Sequence, residues 1–512
     1  MIFMNEDGYL VAEFAQRLSG KAVISSEITD KEISPIGVER LSEKTISFLE
    51  AYQGSKIIDK SILAQIIGEI KKEPQPEAEI TYEIKGTINK HQTAKDVRPE
   101  FSIRNSTIEK TPAMVEDFSA YFRNRFDKLK SIIERNRMSG VGITNKIENL
   151  KIYANGREVG IIGMVYEKSI TKKGHIMLTL EDDSGTAKIL FIKPERTSRK
   201  EMHTLFDLAS KIVNDEVIAI KGKVSTPFLI ATGVIWPDIP IRKIKQTEED
   251  IAIAFTSDIH VGSKLFLEKH FEKFIEWLNG RVDARKDLAE KIKYLVISGD
   301  LVDGIGVYPN QDKELSINDI YKQYASLFSY LDRIPEHVEI FVLAGNHDAL
   351  QLAEPQPPLG DDLIKDFKKD NIHLVSNPGY VKVHGINILA YHGASLDSII
   401  QAIPGCSYSK PETAMTEVLK KRHLSPIYGD NPIMPSRKDS LVMDEVPDIL
   451  HMGHLHKNGY ADYHGTQIIN SGTWQARTLY QVKLGHMPTP AILPIYNTKD
   501  SALWSMDFNS LV

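Results

Sequence analysis

The sequence predicts an α/β protein: a sandwich of two sheets flanked by helices, preceded by a small β-barrel and an N-terminal helical domain. Three patterns predict it. From Asp250 onward apolar strand-like runs alternate with a helical stretch (IAIAFTS, HFEKFIEWLNG, KIKYLVIS), which suits a sheet covered on both faces. Between about residues 145 and 240 the period falls to two and turn residues recur. Over residues 1–70 apolar side chains return at helical spacing. At 512 residues the chain exceeds the size at which one core stops growing, so several domains are required.

Residues 1–70 read as a helical docking module. Val11, Phe14 and Leu18 share one face, as do Ile46, Phe48, Leu49 and Tyr52, and Asp59 is placed to cap a helix through Ile62, Leu63, Ile66, Ile67 and Ile70. Residues 71–111 read as a flexible polar linker, because KKEPQPEAEITYEIKG and the polar residues after it hold too little apolar surface to offset chain ordering. Residues 112–144 read as a basic amphipathic helix with Pro112 in its first turn. Its stripe is Met114, Val115, Phe118, Tyr121, Phe122, Leu129, Ile132 and Ile133, and its charges are Arg123, Arg125, Lys128, Lys130, Arg135 and Arg137.

Residues 145–245 supply the barrel. NLKIYANGREVGIIGMVYEK carries an Asn-Gly turn between two strand-like runs, HIMLTLEDDSGTAKILFI is a hairpin, and EVIAIKGKV and FLIATGVIW are two more strands. Five short strands with an intervening helical segment resemble an oligonucleotide-binding (OB) barrel. Tyr153, Tyr166 and Phe191 could stack on bases, with Lys168, Lys172, Lys173, Lys188, Lys221 and Lys223 nearby. A barrel that grips DNA and a purely structural one are equal readings. Residues 246–512 carry the sandwich, with VEIFVLA in the first sheet and VKV, INILAYH, DILHMG and TQIIN completing a second.

A net charge of −6 makes the chain no polycation, so any nucleic-acid contact must come from local basic patches. The single Cys406 excludes an internal disulfide framework and fits a reducing compartment. No apolar run approaches the roughly 20 residues that span a bilayer. The acidic N-terminus lacks the basic start of a secretion signal. A cytoplasmic protein without membrane contact is expected.

Chemistry is concentrated in five places: Asp258 and His260 in TSDIHVGS, Asp300 in ISGDLVDG, Asn346 and His347 in LAGNHD, His392 in YHGAS, and His454 and His456 in GHLH. Each cluster except the single His392 follows a short apolar run, where a strand should end in a loop. That gathers distant side chains at one sheet edge. Asp258 and His260, two apart, can share one cation, and the carboxylate of Asp300 can bridge two while neutralising their repulsion. Asn346 offers a carbonyl oxygen, and His392, His454 and His456 offer imidazoles. Oxygen and nitrogen donors without thiolate suit Mn²⁺, Fe²⁺ or Zn²⁺. Two cations about 3.5–4 Å apart clamp attacking and leaving oxygens and acidify water. His347 is the expected general acid or transition-state stabiliser. Asp348 is the natural partner to orient His347, with a plain turn carboxylate an equal reading, and Asp303 is a supporting carboxylate or cap rather than a ligand. No organic cofactor site is indicated.

These motifs resemble the calcineurin-like metallophosphoesterases, which include protein phosphatases and Mre11-type nucleases. The resemblance implies one metal held by Asp258, His260, Asp300 and His456, and a second by Asp300, Asn346, His392 and His454. The order of module, tether, barrel and phosphoesterase resembles the small subunits of archaeal family D DNA polymerases. So do DNPIMPSRKDSLVMDEVPDILHMGHLHKNGY and YQVKLGHMPTPAILPIY. Related B subunits of eukaryotic replicative polymerases have generally lost the metal ligands, whereas all eight residues are present here.

That resemblance implies a 3′→5′ exonuclease that proofreads primer ends, using Mn²⁺ or Mg²⁺ (with Zn²⁺ or Fe²⁺ also accepted). It implies a heterodimer with a large polymerising subunit and single-stranded and primer-template DNA as ligands; for the N-terminal module the large subunit and other replisome proteins, such as a sliding clamp, are open alternatives. Polymerisation itself has no separate carboxylate triad in this chain. Two other readings share the residues: a stand-alone phosphatase, which has no need of a barrel, and a silent scaffold subunit, under which His347 has no purpose. The sequence does not map the large-subunit interface; exposed apolar residues of 396–428 and the C-terminal segment are candidates for it.

Overall fold

The computed structural model describes residues 93–512, apart from 110, 137–142, 365, 366 and 368, and eight earlier positions: 23, 24, 45, 57, 58, 62, 63 and 66. Met1–Asn89 and Lys90–Val512 form two compact units. Most of the helical module expected over 1–70, and the linker from 71 to 92, lie outside the described residues, as does Arg137. In the first unit Val23–Ile24 pairs in parallel with Ile57–Ile58, so that unit is not purely helical. Both pairs are β-branched but too short to show a strand period. Ile62, Leu63 and Ile66 are helical as expected.

The second unit opens with strand β1 (Phe101–Asn105) and helix α1 (Val115–Arg135). A barrel comes next, made of β2 (Glu158–Ile170), β3 (Ile176–Asp182), β4 (Gly185–Phe191), helix α2 (Lys200–Ser210), β5 (Val217–Ser225) and β6 (Phe228–Ile235). It closes in the order β2-β3-β4-β6-β5-β2, which leaves no open edge. Inward residues such as Ile161, Val165, Leu178, Leu180, Ile189 and Ile220 fill it. The expected strand in NLKIY is instead a 3₁₀ turn, Ile147–Ile152. Asp182 and Ser184 accept from the backbone N–H groups of Ile147 and Glu148, tying that turn to the hairpin bend.

The sandwich begins with four parallel strands, β7 (Ala252–Thr256), β8 (Ile292–Ser298), β9 (Glu339–Leu343) and β10 (Ile372–Leu374). Helices α3 (Glu268–Leu278) and α4 (Ile320–Asp332) cover their outer face. The second sheet comprises β11 (Gly379–Val383), β12 (Ile386–Ala390), β13 (Ile449–Met452), β14 (Gly459–Tyr463) and β15 (Thr466–Asn470). Helices α5 (Leu396–Ala402) and α6 (Pro411–Lys421) cover that one. A short helix α7 (Leu479–Leu484) precedes β16 (Ile492–Asn497) and β17 (Leu503–Asp507), which add antiparallel strands to the first sheet. Alternation decides the layers. On β7, Ile253 and Phe255 join Val381, Ile388 and Ile449 between the sheets, while Ala252 and Ala254 pack with Phe271 and Phe274 of α3.

Three expectations need correction. The linker read over 71–111 ends in structure: β1 pairs antiparallel with β11 as the sixth strand of the second sheet. Phe101 packs edge-on to Phe341 at 5.3 Å and Ile103 joins the core, whereas Arg104 faces out over the Tyr380 ring. An alternation of 5 residues is too short to stand out from polar surroundings. Next, the basic helix starts at Val115 and ends at Arg135, with Met114 and Val115 exposed rather than in its stripe. Finally, Phe191 is buried in the barrel and cannot stack on a base, and Lys168 donates to the carbonyls of Ser210 and Ile212. Helices α5 and α6 likewise bury most of their apolar residues against the second sheet, so 396–428 is largely a covering layer. No helix among the described residues is long and apolar enough to cross a membrane.

Helix α1 joins barrel to sandwich. Phe126, Leu129, Ile132 and Ile133 pack on Ile162, Met164, Val217 and Ala219 of the barrel. Arg125 is not a solvated charge: it lies buried with its Nε 2.7 Å from Asp439, and Asp439 also receives Nε2 of His423 at 2.8 Å. Burial opposes ionisation of Asp439, but His423 and Arg125 outweigh it and hold the carboxyl far below the usual range. Burial and the neighbouring Arg125 push His423 down to about 4. Asp439→Ala leaves a buried guanidinium unpaired and should cost about 3–5 kcal/mol, read by denaturant unfolding. His423 takes up a proton on unfolding between pH 6.5 and about 4, so its contribution is full above that window and lost as pH falls through it. His423→Asn should flatten the stability-against-pH curve there.

Candidate metal centre

Seven potential ligands come from loops at one end of the sandwich. Asp258 and His260 follow β7, Asp300 follows β8, Asn346 follows β9, His392 follows β12, and His454 and His456 follow β13. Apolar runs carry each strand through the core and stop one or two residues short of the polar group. Five of these residues have left-handed backbones: Asp258 (φ 51°), His260 (54°), Asp300 (49°), His454 (67°) and His456 (55°). A non-glycine residue held there costs on the order of 1–3 kcal/mol and persists only where its surroundings enforce it. Neighbouring glycines make the approach possible. A Cβ on Gly345 would collide with the Asp300 carboxylate, and one on Gly453 with Ser257 and Asp258.

The side chains meet in two adjoining groups, linked by a third that holds His260, Asp300 and His347. Asp258, His260 and His456 can each offer an atom within 4.8 Å of the others, and so can Asp300, His392 and His454. His260 and His456 bring their Nε2 atoms to 3.0 Å, and Oδ1 of Asp258 lies 3.3 Å from Nε2 of His456 without a formed hydrogen bond. Asp300 stands between the groups. Its Oδ1 is 3.3 Å from Nε2 of His392 and its Oδ2 3.8 Å from Nε2 of His260. Oδ1 of Asn346 is 2.9 Å from Nε2 of His392. Two imidazole nitrogens facing each other can share only one proton, whereas a cation satisfies both lone pairs.

Charge tells the same story. Asp258 and Asp300 are almost fully buried, and burial alone would favour their neutral forms. The surrounding histidines overcome it and hold both carboxyls low. Burial works against protonation of His392, but Asp300 beside it pushes that imidazole up to about 10. The cluster draws positive charge into itself. Oxygen and imidazole donors without thiolate fit divalent metal binding.

Supporting groups fix the rings. Nδ1 of His392 sits 2.9 Å from the Ser298 carbonyl, which directs Nε2 to the cluster. Asp303 is 3.2 Å from Nδ1 of His260 and is held by Gln311 and Gln475. His347 packs edge-on to His260 with ring centres 4.8 Å apart, and its Nε2 is 4.0 Å from Asp300. The partner that orients it is not Asp348 as expected but the backbone carbonyl of Asp303, 2.8 Å from Nδ1. Asp348 points away, accepting from the N–H groups of Leu301 and Gly345 and from the Tyr324 hydroxyl, so it locks the loops together.

Sequence reasoning missed Asp397, whose Oδ2 is 3.0 Å from Nε2 of His454, and Gln481, whose amide is 2.9 Å from Nδ1 of His456. Asp397 is an ordinary helix-start acid and Gln481 part of a capping box, so neither carried a signal. His451 is buried between the hydroxyls of Ser298 and Ser471.

Known proteins resemble this chain over most of its length. The family of the B subunits of DNA polymerases alpha and epsilon matches residues 253–459. The DNA polymerase II small subunit of Archaeoglobus fulgidus is 40% identical over 452 residues, covering 86% of this chain and 87% of that protein. Its counterpart in Methanothermobacter thermautotrophicus is 38% identical over 405 residues (78% and 81%). The one from Pyrococcus furiosus is 34% identical over 512 residues (94% and 82%). Among solved structures, an archaeal phosphodiesterase overlaps 50% of this chain and 99% of its own, at 14% identity and a TM-score of 0.25. Vps29 of Entamoeba histolytica complexed with zinc overlaps 51% and 100%, at 16% identity and the same TM-score of 0.25.

Metal-free protein titrated with Mn²⁺ should gain stability by mass action, about 2.7 kcal/mol at a hundredfold excess over Kd. Calorimetry should show two ions per chain, and Asp300→Ala should lose both the heat of binding and the gain in melting temperature.

Proposed function

The chain belongs to the family of archaeal DNA polymerase II (family D) small subunits, and on that premise we propose that it is a metal-dependent 3′→5′ exodeoxyribonuclease. In this reading it removes mispaired primer ends for a large subunit that synthesises DNA. One observation carries it: all eight polar residues of the five motifs converge on a single rim, with the buried carboxylates of Asp258 and Asp300 among five imidazoles. We assign Asp258, His260, Asp300 and His456 to one divalent cation and Asp300, Asn346, His392 and His454 to the other. Mn²⁺ or Mg²⁺ is the expected ion, and Zn²⁺ and Fe²⁺ accept the same donors. When bound, the pair supplies Lewis-acid charge and an acidified water for phosphodiester hydrolysis.

The chain's own residues do the rest. His347 holds Nδ1 toward the Asp303 carbonyl, leaving Nε2 facing the cluster as the atom that delivers a proton to the leaving oxygen. Burial lowers the proton affinity of that ring, and a phosphodiester anion beside it raises the affinity again. Asp303, Asp397 and Gln481 keep His260, His454 and His456 in line. The closed barrel serves as an OB-type grip for DNA, with the exposed Tyr166 as one contact. Residues 1–70 act as a docking module for the large subunit, a sliding clamp or another replisome protein.

His347→Ala should lower release of nucleoside monophosphates from single-stranded 3′ ends by about 10²–10⁴ while leaving metal stoichiometry unchanged. The assay uses a labelled mismatched primer, with the chain alone and with the large subunit. Hydrolysis of an aryl phosphomonoester but no oligonucleotide would mean a phosphatase. A metal-loaded complex that leaves every DNA end intact would mean a scaffold.

A further inference from the structure

The segment that closes over one side of the ligand cluster carries a cation that pairs with no carboxylate among the described residues. Gln475 reaches to Asp303 behind His260, its Nε2 3.1 Å from Oδ1. Gln481, on α7, contacts His456 at 2.9 Å. Arg477 stands between these two anchors. Its Nε is enclosed and makes no hydrogen bond, and among the described residues no carboxylate pairs with its guanidinium. A buried donor without an acceptor carries a desolvation cost that this fold does not recover within itself. A guanidinium fork matches phosphate oxygens.

Aromatic rings share that rim. Arg477 lies near enough to His486 to disfavour its protonation, and Asp397, which holds His454, acts on the same ring. His486 stacks on Tyr408, with ring centres 4.2 Å apart and planes at 27°. Tyr408 interacts with both Asp397 and Tyr480, and Tyr480 is 70% exposed. Rings of this kind stack on any base that has left a duplex, and they cannot reach one still paired.

We propose that Arg477, Tyr480 and the stacked Tyr408–His486 pair form a subsite for the end of a single DNA strand. Arg477 holds a backbone phosphate next to the one that is cleaved, and the rings take unpaired bases. The proposal rests on the nuclease reading above and gives it a means of choosing frayed ends. Leu479, Val482 and Leu484 on the same helix are exposed and would also suit a protein surface. An apolar partner would leave the unpaired cation unexplained, so a polyanion is favoured.

The full chain, alone and copurified with the large subunit, is assayed on a single-stranded oligodeoxynucleotide and on bis(p-nitrophenyl) phosphate. Arg477→Met should raise KM for the oligonucleotide roughly tenfold and reduce the salt slope of binding by roughly 0.7, with aryl diester turnover within about twofold. Tyr480→Ala should weaken binding of an ordinary 3′ end about fivefold or more, yet leave an abasic end unaffected. Fluorescence anisotropy in EDTA reads strand binding independently of hydrolysis. If the parent cuts neither substrate but still binds DNA more tightly than Arg477→Met, the nuclease reading fails and the subsite stands. The proposal is overturned if both variants bind and cut DNA as the parent does, or if they lose only the large subunit. Arg477→Lys, which keeps the charge without the fork, should fall between parent and methionine variant.

Discussion

Everything at the functional end of this molecule depends on the carboxylate of Asp300. It sits fully enclosed between two groups of imidazoles, at the end of a strand whose every residue is buried. A charge in such a place is stable only if positive charge surrounds it. The loops have been shaped to that requirement. Five of their residues adopt left-handed backbones, and Gly345 and Gly453 leave space for them. The surrounding loops enforce that strain, and they gather carboxylate and imidazole donors of the kind that divalent cations accept.

The sandwich makes that strain tolerable. Parallel strands β7, β8 and β9 deliver their ends side by side, and β12 and β13 deliver theirs from the facing sheet. A core lies between the sheets and another under each helical layer, so strand ends cannot drift apart. The barrel is fastened to this frame by buried ion pairs as well as by the apolar seam along α1. Besides Arg125 and Asp439, Lys421 of α6 reaches Glu216 of the barrel at 3.0 Å, and Glu216 also accepts from the Trp236 indole. Such pairs lose much if one partner is removed, which fixes a single relative placement.

The sequence is most legible where a pattern is long or chemically rare. Strands over IAIAFTS, KIKYLVIS and VEIFVLA stand out because continuous apolar runs suit only a doubly covered sheet, and GNHD and GHLH because few other roles call for those residues together. Short or compensated patterns stay hidden. β1 shows only Phe101 and Ile103 as inward residues within a polar stretch. Arg125 resembles one more surface charge of a basic helix, since its partners Asp439 and His423 come from far along the chain. Asp348 suggests itself as the companion of His347 because it is adjacent, but a loop turn sends the two side chains different ways. Adjacency in sequence is a poor guide where the backbone turns sharply.

The position of β1 bears on how the molecule comes into being. This strand is translated before the barrel, yet its neighbour β11 emerges only after the barrel and the whole first parallel set. During synthesis Phe101 and Ile103 must wait without a partner until β11, the first of the later strands of that sheet, emerges and recaptures a strand made much earlier. Nascent chains of this kind pass through a stage with one open, apolar border. The second sheet therefore starts by enclosing the beginning of its own unit, and barrel and sandwich are topologically a single object that no cut between them can separate cleanly.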